Sequence, residues 1–318
     1  MDGFGFIFSV MFKLLALAAL GFFLERKRFI KEENLAFLTD FLVKIAIPCL
    51  IFSEITRHFS FSLRPNWLII VFWSLLIFAV GLFIGWLGSL VLDKKEVSQE
   101  IISLLSFQNS GYIPMSIVYF MFTEGIRDTF LIYIFIYLLG FNVLMWSVGS
   151  YFIFKKSQES FSVSSLFNMP VVATLIALVL VFLKINRVIP SFLMDSATAV
   201  GQTAFVFSML ILGAELSKAG FSNLNFERIK IISVVSFLKL IFVPLVFFLV
   251  LLIFRMKNLF GLFIIIEACM PSATSLVVVG RMKKADINFM SQSISVMNII
   301  SILTIPLWIK LFYSFVNL

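Results

Sequence analysis

Two short polar runs interrupt an otherwise apolar chain. The first reads Phe107-Gln108-Asn109-Ser110-Gly111-Tyr112-Ile113-Pro114-Met115-Ser116 and the second Glu267-Ala268-Cys269-Met270-Pro271-Ser272-Ala273-Thr274-Ser275. Proline lacks a backbone N–H, glycine costs a helix about 1 kcal/mol against alanine, and Asn and Ser cap helices that restart. Each run is expected to break a helix, with a half-helix resuming near Pro114 and near Pro271. Such half-helices present free backbone amides and the positive end of a dipole, to which Asn109, Ser110, Ser272 and Thr274 add hydrogen-bonding side chains. With Gly111 at the first break, this chemistry suits an anion, most simply a carboxylate.

Glu267 lies one helical turn before Pro271. Carboxylates inside a membrane are costly and as a rule functional. Two roles are open for Glu267: a proton carrier that couples a gradient to anion movement, or an ion pair with a basic group such as Lys239. Lys44 follows Asp40 by four residues, which predicts a local ion pair on one helix face. Lys13 and Lys310 are expected to snorkel or to line a cavity. Glu54 and Glu215 are expected as charged span ends, with paired gates as the alternative.

These residues sit in a chain of 318 residues that is 61% hydrophobic and 13% charged, with 41 Phe, one His and a mean hydropathy of +1.08. Soluble domains are about half apolar and a quarter charged, so a membrane protein is expected rather than a soluble or disordered one. The two cysteines, Cys49 and Cys269, lie in apolar stretches. They support neither a disulfide framework nor a cysteine-based zinc site. His58 falls in an expected outer loop, and no His-Glu-x-x-His, phosphate-loop or dinucleotide glycine pattern occurs. No metal ligand set, cofactor or enzymatic activity is therefore expected.

About 20 apolar residues carry a helix across a hydrocarbon core roughly 30 Å thick. Apolar runs at 5–24, 35–55, 67–92, 101–122, 130–154, 169–183, 192–216, 231–254, 259–280 and 289–315 predict ten transmembrane helices. The net charge of +8 comes from Lys and Arg in the loops between runs, so nucleic acid is not an expected partner. Alternate loops hold fourteen basic residues on one side, including Arg26, Lys27, Arg28, Lys94, Lys155, Lys218 and Lys284, against seven on the other. This bias places the richer loops in the cytoplasm and both termini outside, in a multi-pass plasma (inner) membrane protein. Charge follows the first apolar run and does not precede it, so that run is expected as an uncleaved span.

Residues 155–167 form a serine-rich hydrophilic connection at the chain's midpoint, expected as a cytoplasmic linker between halves at 1–154 and 168–318. Features recur at a near-constant offset: Pro114 and Pro271 differ by 157 positions, and Glu54 and Glu215 by 161. Five spans are an odd number, so the second half would enter the membrane inverted. The expected fold is all-α, with two inverted five-helix repeats whose broken fourth and ninth helices cross. That architecture is common among secondary transporters with a substrate site near the bilayer midplane. Gly81 and Gly85 give a close-approach spacing, expected to serve packing within one chain, with a homodimer contact as the alternative.

The segments Asn109-Ser110-Gly111-Tyr112, Asn168-Met169-Pro170, Leu212-Gly213-Ala214-Glu215-Leu216, Met270-Pro271-Ser272-Ala273-Thr274 and Leu303-Thr304-Ile305-Pro306-Leu307 resemble, in order and spacing, those of the auxin efflux carrier family. The family includes plant carriers and bacterial permeases for malate or malonate, and the bacterial type is the nearer likeness. The resemblance implies crossed helices four and nine, a scaffold of spans one, two, six and seven, and an elevator-like motion of the rest. It also implies that Asn109, Pro114 and Pro271 meet the substrate carboxylate. Ser116 stands where many members have proline, and Thr274 and Ser275 where many have asparagine, so auxin itself is not implied. The expected function is secondary transport of a small organic anion, with a proton or sodium ion as the coupling partner. A sodium-coupled symporter of the bile-acid type and a non-transporting membrane sensor are the alternatives.

Overall fold

Lipid supplies no hydrogen bonds, so a chain this apolar must pair its backbone within itself. The computed structural model describes residues 3–62, 64, 66–93, 95–145, 153, 167–218, 225–282 and 285–316. Among them there is no β-strand, and extended pairing is confined to one antiparallel bridge between Gln108 and Ser272. Most of the expected linker, with Lys155 and Lys156, lies outside the described residues, as do Lys94, Lys283 and Lys284.

The helices are α1 (Gly3–Arg26), α2 (Glu32–Phe41), α3 (Ile47–His58), α4 (Leu68–Leu92), α5 (Ser98–Ser106), α6 (Tyr112–Met121) and α7 (Glu124–Val143). They continue as α8 (Met169–Phe182), α9 (Ser191–Lys218), α10 (Phe226–Phe237), α11 (Val243–Ile253), α12 (Leu259–Ala268), α13 (Leu276–Met282) and α14 (Ile287–Val316). A single π-helical turn, Leu42–Ala46, joins α2 to α3, and another, Leu238–Phe242, joins α10 to α11.

Seven helical stretches, each 20 to 30 residues, are long and apolar enough to cross a membrane. The fourth, sixth and ninth expected spans fall below that length. The fourth and ninth are each divided into two short helices, and the sixth is the 14-residue α8, about 21 Å long.

Local sequence explains where these helices begin. Asn168, Asn225 and Asn258 each precede a helix and accept the backbone N–H three residues on, from Val171, Arg228 and Gly261. Pro170, in the first turn of α8, lacks an N–H that would have had no partner there. Pro48 and Pro244 each follow a π turn closely. Pro244 cannot donate to the carbonyl of Leu240, and that freed oxygen accepts the indole N–H of Trp308 at 2.9 Å.

Helix packing is set by glycines. In α1 and α9 the contact is reciprocal: a Cβ on Gly21 would stand 2.0 Å from the carbonyl oxygen of Leu210, and one on Gly213 would stand 1.7 Å from that of Ala18. Gly81 brings α4 against α5, where a Cβ would lie 2.4 Å from the carbonyl oxygen of Leu105, and Gly85 meets Ile102 in the same way. The Gly81–Gly85 spacing therefore serves contact within one chain. Since backbone stands opposite each of these glycines, Gly213→Val should lower stability by about 1–3 kcal/mol, read as a fall in melting temperature of the detergent-solubilised protein. Gly125→Ala, where nothing lies within 4 Å, should leave it unchanged.

Candidate functional site

The two interruptions meet. Residues 107–111 separate α5 from α6, residues 269–275 separate α12 from α13, and the connections run antiparallel past each other. The N–H of Asn109 donates to the carbonyl of Pro271 at 2.8 Å, and the N–H of Ala273 donates to that of Phe107 at 3.0 Å. The end of α5 is completed from outside: the Ser272 hydroxyl donates to the carbonyl of Leu104, and the ammonium of Lys239 to that of Leu105 at 2.8 Å. A helix end leaves four carbonyls without intrahelical partners, and these contacts supply two of them deep in the protein.

The first half-helix resumes near Pro114, as the sequence predicts, while the second resumes later than predicted. Helix α6 begins at Tyr112, so Pro114 lies inside its first turn, where the missing N–H costs nothing. Helix α13 begins only at Leu276, five residues beyond Pro271. Pro271 lies in the extended connection and contributes its carbonyl, so no helix N-terminus stands at it, and the N–H of Ala273 serves Phe107. The physical reason is the bridge itself, which holds 271–273 extended.

Beside the crossing lies a cavity of about 170 Å³. Gln108, Asn109, Ser110 and Gly111 line it from the first connection, and Ala273, Thr274 and Ser275 from the second. The remaining wall includes Val43, Ile47, Leu138, Phe141, Met145 and Pro170, together with the amides Asn142 and Asn168, which bond each other at 3.0 Å. Pro114, Pro271 and Ser272 do not contribute to this lining. Of the expected contact residues, the fold thus brings Asn109, Ser110, Gly111 and Thr274 to one cavity and leaves the other three behind it.

The polar atoms at this site are unevenly satisfied. Asn109 is buried; its side-chain oxygen accepts the N–H of Tyr112 at 3.1 Å, while its NH2 group has no partner. The Ser110 hydroxyl and the Gln108 side-chain oxygen are also buried and unpartnered. Each such group costs about 1–3 kcal/mol, which a ligand or water that bonds it would recover.

Glu267 is fully buried, and neither of its carboxyl oxygens has a hydrogen-bond partner. Ser110 and Tyr137 stand beside it, and the Gln108 amide donates to the Tyr137 hydroxyl. Lys239, expected as a basic partner for Glu267, is instead bonded to the carbonyl of Leu105. Gln108, Tyr137 and Asn142 are functional candidates that motif spacing did not single out; an isolated amide within an apolar span is the signal that identifies Asn142.

The other charged groups are distributed as follows. Lys44 pairs with Asp40 at 2.7 Å, and both are exposed, as are Lys13 and Lys310. Glu215 lies 3.9 Å from Lys218 on the same helix. His58, expected in a loop, is the last residue of α3 and stands with Glu54 and Asp128.

Over 313 residues the chain is 27% identical to an uncharacterized transporter of Methanocaldococcus jannaschii, covering 94% of this chain and 97% of that protein. A family model described as membrane transport protein matches residues 6–167 and 154–309. An all-helical chain with seven membrane-length helices, matched to that model over nearly its whole length, belongs to this membrane transport protein family, that of the auxin efflux carriers.

Proposed function

We propose that this transporter moves small organic anions, carboxylates such as malate or malonate, by an elevator-like alternation between the two sides of the plasma membrane. In this reading the chain crosses ten times, as inverted repeats at 1–154 and 168–318 joined by a cytoplasmic linker, with both termini outside. Spans one, two, six and seven form the scaffold, and the interrupted spans carry the substrate.

One observation carries the substrate class. The Asn109 carboxamide is fixed by Tyr112 so that its NH2 group is left as an unused donor beside the cavity. A carboxylate is acceptor-only and matches such a donor, and the hydroxyls of Ser110 and Thr274 can donate to the same guest. Pro114 and Pro271 act from behind the lining, Pro114 in the first turn of α6 and Pro271 by anchoring Asn109 through its carbonyl. Ser272 holds the end of α5 in the same supporting role.

Glu267 is the coupling group in this reading. Taking up a proton cancels its charge and converts an acceptor into a donor, which changes what Ser110 and Tyr137 meet. The unpartnered oxygens of Glu267 and Gln108 equally suit a sodium ion, so a sodium-driven symporter is the second reading.

Uptake of radiolabelled malate, malonate and monocarboxylates into proteoliposomes tests both. Because a hydrogen bond to a charged group contributes about 1.5–3 kcal/mol, Asn109→Ala should cut uptake of the best substrate roughly tenfold to a hundredfold. Undiminished uptake would remove Asn109 from the site, and absence of flux in the wild type with ligand binding retained would indicate a sensor.

Glu267→Gln keeps the shape of the side chain without the titratable proton. It should abolish acceleration by an imposed pH gradient while leaving substrate exchange at equal pH. Drive by pH that survives this substitution would exclude Glu267 as the carrier, and drive by Na⁺ alone would establish the symporter reading.

A further inference from the structure

A second cluster of ligand-type side chains lies away from the crossing, where the end of α3 meets the beginning of α7. Glu54 and His58 are four residues apart, one helical turn, and so share a face of α3. Helix α7 brings Asp128 against that face, and one ligand atom from each of the three residues lies within 4.8 Å of the other two.

These groups converge without satisfying one another. His58 Nδ1 stands 3.8 Å from Asp128 Oδ2, beyond hydrogen-bond length, and the Oε2 atom of Glu54 is buried with no hydrogen-bond partner. Ligand atoms around a tetrahedral zinc ion with bonds of about 2 Å are roughly 3.3 Å apart, so side-chain rotation of about 1 Å would close the three around an ion.

The surrounding charge is net negative, which favours a cation. Arg57, Arg127 and Glu124 are the other charged groups close to Glu54. Arg57 is committed to Asp195 at 2.6 Å. Arg127 lies 3.8 Å from the second carboxylate oxygen of Asp128 and sits over the ring of Tyr119 at 5.4 Å. Arg64 donates to the carbonyl of His58 at 3.1 Å and to the hydroxyl of Thr129 at 3.2 Å. With Asp195 included, four carboxylates thus face three guanidinium groups, leaving one negative charge beside a histidine ring.

We infer that Glu54, His58 and Asp128 form a binding site for a divalent transition-metal ion of the zinc class, bridging α3 and α7. An imidazole with two carboxylates is a zinc-type donor set that leaves a fourth position for water, whereas Mg²⁺ and Ca²⁺ take oxygen ligands alone. The bound ion adds a cross-link between α3 and α7, which already pack against each other, and it stabilises the folded state by mass action. This site is independent of the anion cavity and does not rest on the transport reading.

The test uses the full-length protein in detergent, with its affinity tag removed and metal stripped by chelator. Titration with Zn²⁺ followed by calorimetry should give one ion per chain, and saturating Zn²⁺ should raise the melting temperature, while Mg²⁺ does neither. His58→Ala and Asp128→Asn should each weaken Zn²⁺ binding at least tenfold and remove the thermal shift. The His58 side chain is 39% exposed, so its removal leaves the fold intact. As a check needing no variant, Co²⁺ bound to the wild type should give the visible absorption of a low-coordinate nitrogen and oxygen site. Absence of stoichiometric Zn²⁺ binding, or binding of equal strength in His58→Ala and Asp128→Asn, would overturn the assignment and leave the cluster an electrostatic contact between helices. No flux is measured, so failure here does not bear on the anion site.

Discussion

A peptide group stripped of its helical partner at membrane depth must find another, and the crossing of the two interrupted helices answers that demand. Continuous helices satisfy their backbone internally; broken ones cannot. Here each connection repairs the other, through Asn109 to Pro271 and Ala273 to Phe107, so neither interruption is stable without its counterpart. Two gaps that would each be costly alone become one joint.

That joint reaches outward into the packing. The carbonyl of Leu105, left open at the end of α5, is held by Lys239, and the backbone of the same residue is where Gly81 lets α4 approach. The amino group of Lys239 donates to a carbonyl that the helix end would leave open, and the buried position of Lys239 follows from that role. The π turn that contains Lys239 precedes Pro244, and the carbonyl released there is taken by Trp308 of α14. The open end of α5 and the irregularity before Pro244 are thus each met by a polar group from another element.

Much of this was legible in the chain. Composition identified a membrane protein, Pro located both breaks and Gly111 the first, and the i to i+4 spacing of Asp40 and Lys44 predicted their ion pair. The point at which each helix resumes was not legible, because that is decided by tertiary bonding. Pro271 has the local signature of a helix start, yet its carbonyl is claimed by Asn109 across the joint, and the chain stays extended through Ala273 before it turns at Thr274 and Ser275 into the helix. The partner of Lys239 was hidden for the same reason: a carbonyl 134 positions away leaves no trace in side-chain type. Glu54, His58 and Asp128 were equally obscure, since two share a helix turn while the third arrives from α7.

The division of hydrogen-bonding capacity at the joint also follows from its construction. The groups that make the joint are used up: Ser272 spends its hydroxyl on Leu104, and the backbone amides of Asn109 and Ala273 are spent on the bridge. What remains unpaired belongs to side chains, and it has two polarities. Asn109 offers a donor toward the cavity, while Gln108 and Glu267 offer acceptors on the side of Tyr137. Ser110, whose hydroxyl can act either way, stands between them and is itself unpartnered. A negative guest at the donor end and a positive charge at the acceptor end would attract each other through that hydroxyl, so each would raise the other's affinity by the same factor. Coupling of two solutes would then require no separate device beyond the backbone joint that keeps the two ends adjacent.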